Sequence, residues 1–447
     1  MGIFYLNNLK NRIRLLLRNP LMKSMVTVAV ITFIIKAIAF YKETIIAGSF
    51  GLSEILDTFL VAVLVPTFIQ SVFLNSLKHL FIPNYIAEIK SGHDRSGFQA
   101  IVFLMTLGIS LLSILLAFLT TDLFLQFIFP NHTEIYYQLV KDQLYIILPC
   151  LVFWGFSTVL TGLLEVENKF LISTISEIFP LITMIIFLLY LKDDIGNLVL
   201  AYGTLVGSVL GFIFLLFFTI KGNNLLISRP VLNNNSKLML RQLPPKITSS
   251  FLSAMNKFID QFFAGQLVVG SIAALNYGNR VPAFGVTIVI MALGSVLLPH
   301  FSRLVNEDLK SAYKQLFYIL KLVLGIGIVF VVIAIFMSDF IIELWLERDE
   351  FTHADTLKVS AIQQIMLANV PFYLCTLIIV KFLTSINENK FMAWISLINL
   401  TVNIILNFIL IEYYGVYGLA LSTTLVLTIS SCFYFGYTYK LYRKLNL

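Results

Sequence analysis

The stretch KAIAFYKETIIAGSFGLSEILDTFLVAVLVPTFIQSVFLNSLKHLFIP, residues 36–83, decides the fold. It contains two apolar runs of membrane-spanning length, joined by a turn at Phe50-Gly51. Ionisable residues interrupt both runs, namely Lys36, Lys42, Glu43, Asp57 and Lys78. A Lys or Asp at the centre of a membrane helix costs roughly 2.5–3.5 kcal/mol on insertion scales. Several of them close together therefore predict helices that face a water-filled interior, which the rest of the chain surrounds.

The composition fits this interpretation. The 447 residues are 58% hydrophobic and 12% charged, whereas about a quarter of the residues in a soluble domain are charged. Apolar runs of spanning length recur along the whole chain, which predicts an all-α polytopic membrane protein. A transmembrane β-barrel is disfavoured because the runs do not alternate. The three cysteines lie inside apolar runs, with neither disulfide nor metal spacing.

We predict about twelve transmembrane helices in two pseudo-symmetric six-helix lobes. The predicted spans are Met25–Ala47, Ile55–Phe81, Phe98–Leu119, Leu144–Leu164, Phe170–Leu191, Leu198–Ile220, Ile247–Val268, Ile272–Leu298, Leu316–Met337, Ile362–Leu383, Phe391–Ile411 and Tyr417–Tyr439. Lys and Arg concentrate in every second loop, which predicts that both termini are cytoplasmic in a multi-pass protein of the cell (inner) membrane. The net charge of +7 is attributed to these loops, and no nucleic-acid partner is expected.

The predicted domains follow from charge and polarity. Residues 1–23 form a basic amphipathic N-terminus on the cytoplasmic surface, and residues 24–221 form the N-lobe. Residues 222–246, which are rich in Asn and contain Pro244-Pro245, form a cytoplasmic linker. Residues 247–440 form the C-lobe and 441–447 a cytoplasmic tail.

The two lobes repeat one pattern at an offset of about 220 residues. Gly51 with Asp57 recurs as Gly270 with Asn276, and Pro66 with Pro83 recurs as Pro282 with Pro299. The segment 167–170 (Glu-Asn-Lys-Phe) recurs at 388–391, and Gly196 with Ala201 recurs as Gly415 with Ala420. An even number of helices per repeat predicts parallel repeats with the substrate path between them.

Four cations are candidates for substrate binding. Lys36 and Lys42 belong to the first predicted span, and Lys257 and Arg280 to the corresponding spans of the second lobe. A cavity lined by Lys and Arg suits a phosphate or pyrophosphate group. Glu43, Asp57 and Asp260 are candidates for charge compensation or ion coupling. The weaker candidates are Lys78, Glu177, Asn279 and Asn403.

Structural alternatives stay open for several of these residues. Lys257 and Asp260, three residues apart, suit an ion pair on one helix face. Lys42 and Lys78 lie near span ends, where a lysine often only anchors the helix. Asn399, Asn403 and Asn407 form a stripe on one face, which is more typical of helix–helix hydrogen bonds than of substrate contact. The prolines at 66, 149, 180, 282, 299 and 371 are predicted to kink helices.

The sequence gives no indication of an enzyme. It contains no Gly-rich nucleotide loop, no His-Glu-x-x-His motif and no Ser/His/Asp set, so no catalytic residue and no metal ligand is predicted. No cofactor is expected. A coupling H⁺ or Na⁺, or the membrane potential, remains an open source of energy for transport.

The ordered motifs resemble the MurJ/MviN lipid II flippases, in the superfamily (MOP) that includes O-antigen (Wzx) flippases and MATE exporters. The match runs through Lys36-x5-Lys42-Glu43, Phe50-Gly51-x5-Asp57, Phe81-Ile82-Pro83-x4-Ala87-Glu88, Gly270-Ser271, Asn279-Arg280 and Leu298-Pro299. The resemblance implies two six-helix lobes around a cationic cavity. It also implies alternating-access flipping of a polyprenyl-pyrophosphate-linked sugar from the inner to the outer leaflet.

Carried over by position, Lys36 and Lys42 stand where the family has Arg, and Glu43 where it has Asp. Asp57 and Arg280 match family residues directly. The chain departs from the family at three places. Gln70, Ser71 and Asn75 stand where the family has Arg-Arg and Glu in helix two, and Asn279 stands where it has Asp. The family has two further C-terminal helices, whereas this chain stops after twelve predicted spans.

The expected function is a flippase for lipid II or another surface-glycan precursor, working among membrane lipids and with glycan polymerase or assembly proteins. A MATE-like cation-coupled drug exporter is the alternative, although its cavity should be acidic or aromatic. A membrane partner of a glycan assembly complex, without transport of its own, is a third hypothesis.

Overall fold

A computed structural model describes residues 20–92, 95–130, 132–226 and 228–445. Within these ranges nearly every residue is helical, and the only β feature is an isolated bridge between Arg348 and Phe351. The predicted amphipathic helix at the N-terminus falls on residues 1–19, outside the described residues, as do the last two residues of the predicted tail.

The described residues of the first half form ten helices, with a π-helical turn at Gln70–Leu74 and a 3₁₀ turn at Gly196–Leu198. They are α1 (Pro20–Phe50), α2 (Glu54–Ile69), α3 (Asn75–Ser91), α4 (Arg95–Ile128), α5 (Glu134–Ile147), α6 (Cys150–Val166), α7 (Phe170–Ile175), α8 (Ile178–Tyr190), α9 (Lys192–Ile195) and α10 (Val199–Lys221).

The described residues of the second half form seven helices. They are α11 (Asn234–Gly265), α12 (Ser271–Glu307), α13 (Leu309–Phe336), α14 (Ser338–Leu346), α15 (His353–Leu367), α16 (Val370–Ser385) and α17 (Asn389–Lys444). Helix α17 holds the last two predicted spans, which meet at Gly415, a residue with φ of 54° and ψ of −130°.

The helical positions of the twelve predicted spans are confirmed. By length and composition, seven helical segments of the described chain can cross a membrane, or eight if α15 and α16 form one bent span. Helix breaks adjoin Pro149, Pro180 and Pro371, and at Pro371 the helices α15 and α16 meet at 41°. Pro66, Pro282 and Pro299 lie inside helices that continue past them. A kink at these three positions stays a prediction.

Part of the predicted linker is helical. Helix α11 begins at Asn234 and continues without interruption to Gly265, so its first turns precede the predicted span. Pro244 and Pro245 lie inside this helix rather than in a loop. A domain boundary at 222–246 stays a prediction.

The backbone shows the internal repeat more clearly than the side chains do. Three pairs of residues with positive φ are each 219 residues apart: Gly51 and Gly270, Asn168 and Asn387, and Gly196 and Gly415. The turns at Asn168 and Asn387 also share their hydrogen bonds, from the following amide to the carbonyl five residues back. The Glu-Asn-Lys-Phe match predicted above is therefore wrong by two residues in register, because Asn387, not Asn389, occupies the turn equivalent to Asn168.

Contacts divide the chain into two compact units. Unit 1 comprises the described residues up to Ile46 together with Ala62–Thr121 and Gln138–Ser250. A buried cluster in it joins α3, α4, α6, α10 and Met239 of α11 around Phe81, whose ring stacks on Tyr85 at 5.1 Å between centroids. The Phe81 ring lies so close to Gly162 that a Cβ there would be 2.9 Å from it, so a small residue is required.

Unit 2 comprises Ala47–Val61, Asp122–Tyr137 and the chain from Phe251 onward. Its main cluster joins α12, α13, α16 and α17 through the buried rings of Phe301, Tyr313 and Phe382. The Tyr313 and Phe382 centroids are 4.7 Å apart at 64°, an edge-to-face arrangement that stabilises aromatic pairs. The α1–α2 turn therefore packs with the second half of the chain, although it belongs to the first half in sequence.

The α1–α2 turn is held by a close backbone approach. Gly51 has φ of 54°, and a Cβ there would lie 2.3 Å from the carbonyl oxygen of Glu350. The amide of Glu350 in turn donates to the carbonyl of Gly48, at 3.1 Å. Only glycine fits at position 51, because it adopts the left-handed conformation readily and because there is no space for a side chain.

We expect Gly51→Ala to destabilise the protein more than Gly196→Ala. Both positions have positive φ, but a Cβ at Gly196 would meet nothing within 4 Å. The alanine at 196 carries only the left-handed backbone cost, about 1–2 kcal/mol, whereas overpacking at 51 adds about 1–3 kcal/mol. Thermal unfolding of both variants in detergent tests this, and an equal loss would contradict the packing described for Gly51.

Candidate functional site

Unit 1 contains a group of ionisable side chains within its spans. Lys36 of α1 and Lys78 of α3 both interact electrostatically with Glu177, which directly precedes α8. The Lys78 ammonium also forms an ion pair with Glu165 of α6, at 2.8 Å. Lys36 therefore has an acidic neighbour from a distant helix, although it has none within one turn of its own helix.

Glu165 is the member of this group that the sequence did not reveal. It lies one residue beyond the predicted span Leu144–Leu164, whereas α6 continues to Val166. Lys78 and Glu165 are only partly exposed, with 23% and 24% of their side chains accessible. Glu177 is exposed, so this group lines a polar surface of unit 1.

Lys42 and Glu43 of α1 pair with each other instead. Their charged atoms are 3.0 Å apart, and Glu43 is buried. The charge that Glu43 compensates is therefore that of Lys42, the residue before it in the chain. Just beyond the end of α2, positions 70 and 71 lie in the π-helical turn Gln70–Leu74, and position 75 follows it. Such a local widening of a helix is common at functional sites.

In unit 2, Lys257 of α11 and the adjacent Asn279 and Arg280 of α12 are exposed. Lys257 and Arg280 are near enough to interact electrostatically, as like charges. The alternative of an ion pair between Lys257 and Asp260 is wrong, because Asp260 directs its carboxylate to other partners. This unit thus holds two cations of the predicted substrate set side by side.

Asp260 is the centre of a polar cluster between α11 and α17. Its Oδ1 accepts hydrogen bonds from the amides of Asn403, at 3.0 Å, and Asn407, at 2.9 Å. Its Oδ2 accepts from the hydroxyl of Thr423, at 3.2 Å. Asn403 and Asn407 are buried, and Oδ1 of Asn407 has no hydrogen-bond partner in the described residues.

The asparagine stripe therefore joins helices, as favoured from the sequence. Asn399 makes a further bond from the same stripe, to the hydroxyl of Ser430 at 2.8 Å. Within a membrane such side-chain bonds stabilise helix packing by about 0.6 kcal/mol each on average. Substrate contact by Asn403 stays a prediction.

Asp57 caps the start of α12 from another helix. Its carboxylate accepts hydrogen bonds from the amides of Gly270, at 2.6 Å, and Ala273, at 2.9 Å. The first amides of a helix have no partners within it and carry partial positive charge, so a carboxylate there is doubly favourable. Gly270, the N-cap residue, has no side chain to do this itself. Ion coupling by Asp57 stays a prediction.

The turn that covers Gly48 and Gly51 is fixed by its own polar contacts. The hydroxyl of Thr356 donates to Glu347 at 2.6 Å, and the Nδ1 of His353 lies 3.1 Å from the same carboxylate oxygen. The Thr356 bond lowers the pKa of Glu347 below its ordinary value. Phe351 of this turn is buried, with its ring edge-on to Tyr277 of α12.

A second series of polar contacts, all within unit 1, joins α3 to the N-terminal part of α11 and to the residue before it. The hydroxyls of Ser76 and Ser250 are 2.8 Å apart, and the amide of Asn84 donates to Gln242 at 3.1 Å. The fully buried carboxylate of Glu88 accepts from the amides of Asn233 and Asn235, at 2.5 and 2.6 Å. The partners run in opposite directions along the two helices.

Among the described residues, no group of three or more His, Cys, Asp or Glu side chains could hold a metal ion. The cations, the capped helix and the buried amide cluster instead describe a membrane protein with polar surfaces inside its helical bundle. The family model described as "Lipid II flippase MurJ" matches residues 46–446 of this chain.

The chain belongs to the MurJ family. It is 25% identical over 418 residues to the probable lipid II flippase MurJ of Buchnera aphidicola subsp. Acyrthosiphon pisum, a match that covers 91% of this chain and 81% of that protein. It is 24% identical over 422 residues to the Vibrio cholerae protein of the same name, covering 91% and 80%.

Two solved structures establish the fold. A lipid II flippase MurJ in an inward closed conformation superposes with a TM-score of 0.80 at 24% identity, covering 92% of this chain and 86% of that one. An inward-facing MATE family transporter of the MOP superfamily gives a TM-score of 0.75 at 14% identity, covering 91% and 94%. This chain is therefore a multi-pass membrane protein of a transporter family rather than an enzyme, as predicted.

We expect Asp57→Ala to loosen the start of α12. Two backbone amides lose their partner, and removal of a helix cap costs about 0.5–2 kcal/mol. In a background without native cysteines, Ser271→Cys, buried in the native protein, should then react several-fold faster with a water-soluble maleimide. Glu54→Ala, one turn earlier on α2, is the matched control and should change nothing. Equal labelling in the presence and absence of Asp57 would contradict the capping role.

Proposed function

We propose that this protein is a flippase that moves lipid II, a polyprenyl-pyrophosphate-linked sugar, from the inner to the outer leaflet of the cytoplasmic membrane. The match of the MurJ family model to residues 46–446 is the observation that carries this proposal. The relatives above bear the name of lipid II flippase. In the proposed orientation, both termini are cytoplasmic.

The pyrophosphate is the part of the substrate that the proposed site recognises. Lys36 and Lys42 of unit 1, and Lys257 and Arg280 of unit 2, are the cations proposed to bind it. Arg binds phosphate oxygens in a bidentate manner and Lys acts as a point charge. Lys257 and Arg280 are exposed although they belong to helices of a membrane protein, and their mutual repulsion is relieved when an anion binds to both.

Two sets of contacts are proposed as gates for alternating access. The proposed outer gate consists of two contacts. The Asp57 carboxylate accepts hydrogen bonds from amides at the start of α12, and the backbone at Gly48 and Gly51 packs against Glu350. The inner gate is the series that joins Ser76, Asn84 and Glu88 to α11 and the residues before it. Each set lies within one compact unit, the outer one in unit 2 and the inner one in unit 1. In the proposed cycle, each set rearranges when the corresponding side opens.

The Asp260 cluster is proposed to bind the coupling cation. It offers one carboxylate, one hydroxyl and two amide side chains in a buried position. Rotation of the two amides would turn their oxygens toward Asp260, and oxygen is the ligand that hard cations prefer. The buried, unpaired Oδ1 of Asn407 supports this, because a bound cation would satisfy it.

Purified protein in proteoliposomes should flip labelled lipid II, and Lys36→Gln or Arg280→Gln should lower the rate roughly tenfold or more, as expected for a lost charge-assisted contact of about 1.5–3 kcal/mol. Arg303→Gln, exposed near the end of the same helix as Arg280, is the control and should keep the native rate.

The same vesicles discriminate the substrate. If an undecaprenyl-pyrophosphate-linked O-antigen unit moves and lipid II does not, the substrate assignment is wrong. If organic cations move and neither lipid does, the protein is a MATE-like exporter and the flippase proposal fails.

Cation dependence gives a separate test. A Na⁺ gradient or a pH gradient should accelerate flipping by the native protein, and Asp260→Asn should remove that acceleration because the carboxylate that neutralises the cation is lost. Asp339→Asn, an exposed carboxylate outside the cluster, is the control. An unchanged gradient dependence in Asp260→Asn would exclude this cluster as the coupling site.

A further inference from the structure

Unit 2 contains an apolar cavity of about 590 Å³ between α13, α16 and the second part of α17. Its volume lies within the roughly 300–1,000 Å³ that small-molecule pockets usually have. Its lining is mostly hydrophobic and aromatic. Its polar groups are the Lys321 ammonium and the hydroxyls of Ser431 and Tyr439. None of the residues predicted from the sequence to bind the transported substrate lines it.

The cavity is elongated along the helices. Its lining extends from Phe317 to Leu324 on α13, from Phe372 to Ile379 on α16 and from Ser431 to Tyr439 on α17. At a rise of 1.5 Å per residue these stretches are roughly 10–12 Å long. That shape suits an extended hydrocarbon chain better than a compact drug-like molecule.

The cavity borders a surface that faces hydrocarbon. Helix α13 is long and apolar enough to cross a membrane, and it exposes large apolar side chains such as Leu322, Ile326 and Phe330. Water does not solvate such a surface in a bilayer, so the natural occupant of an apolar cavity beside it is a lipid chain.

Lys321 supplies the chemistry of the head group. It is exposed, lines the cavity and forms no ion pair or hydrogen bond with any described residue. It lies five residues inside the predicted span Leu316–Met337, or roughly 7.5 Å along the helix. A lysine at this depth reaches the phosphate level of the inner leaflet by extending its flexible side chain.

We propose that this cavity is a binding site for an anionic glycerophospholipid of the inner leaflet. One acyl chain fills the apolar cavity, and the phosphate contacts the Lys321 ammonium. The site would hold a lipid that stays with the protein, and it does not depend on the proposed flippase function, since neither the cations nor the gates of transport contribute to it.

The test is native mass spectrometry of the purified full-length protein with added phosphatidylglycerol or phosphatidylcholine. The native protein should retain phosphatidylglycerol in preference. Lys321→Gln should weaken that binding roughly fivefold, because one basic residue contributes about 1 kcal/mol toward an anionic lipid. Lys310→Gln, exposed at the start of the same helix and outside the cavity, is the matched control and should bind as the native protein does.

A second variant tests the chain rather than the head group. Cys432 is exposed and lines the cavity, so Cys432→Trp should fill it and remove binding of both lipids. Retention of phosphatidylglycerol by both Lys321→Gln and Cys432→Trp would overturn the proposal. Binding of undecaprenyl phosphate in place of phosphatidylglycerol would overturn the assignment of the occupant. Lipid flipping plays no part in either readout, so failure here leaves the proposed transport function to its own test.

Discussion

The architecture depends most on the hydrogen bonds between the Asp57 carboxylate and the backbone amides at the start of α12, which have no partner within the helix. The interior of a bilayer contains no water that could hydrogen-bond to the free amides of a helix end or to an isolated charge. The two groups must therefore bind each other. The Asp57 carboxylate meets both requirements, since two backbone amides at the start of α12 donate hydrogen bonds to a charge that would otherwise be costly to bury. The same requirement explains Asp260 among its amides and Glu88 against two asparagines.

These three carboxylates have different partners and hence different proposed roles. Asp57 binds the amides at the start of α12, and Glu88 binds the asparagines at the start of α11 and just before it. Both sets of contacts are proposed to rearrange during a transport cycle. Asp260 joins two helices of the second half, and its partners carry oxygen atoms that can turn toward a cation. The exposed cations Lys257 and Arg280 are the opposite case, because they are two like charges near each other on α11 and α12. In the proposed function, an anionic substrate neutralises them.

The membrane class and the helix positions could be predicted from the sequence because apolar length is a local property. The repeat could be predicted as well, but its register near Asn168 could not, since a match of four letters says less than the turn geometry that Asn168 and Asn387 share. Partners distant in sequence were out of reach. Nothing local to Lys78 indicates Glu165, and nothing local to Asp260 indicates Asn403 and Thr423, 143 and 163 residues away. The helical conformation of the predicted linker beyond Asn234 was also out of reach, because Pro244 and Pro245 suggested a break where the helix continues.

The central claim is that the cations of the spans face water in the bilayer because an anionic head group must reach them. Thiol accessibility measures this directly, in a background whose three native cysteines are replaced by alanine. Cysteines placed at Lys36 and Arg280 should react with a membrane-impermeant, positively charged thiol reagent in intact proteoliposomes, and lipid II should protect both. If both positions stay unreactive while Lys310→Cys reacts, these residues face lipid or dry protein, and the account is contradicted.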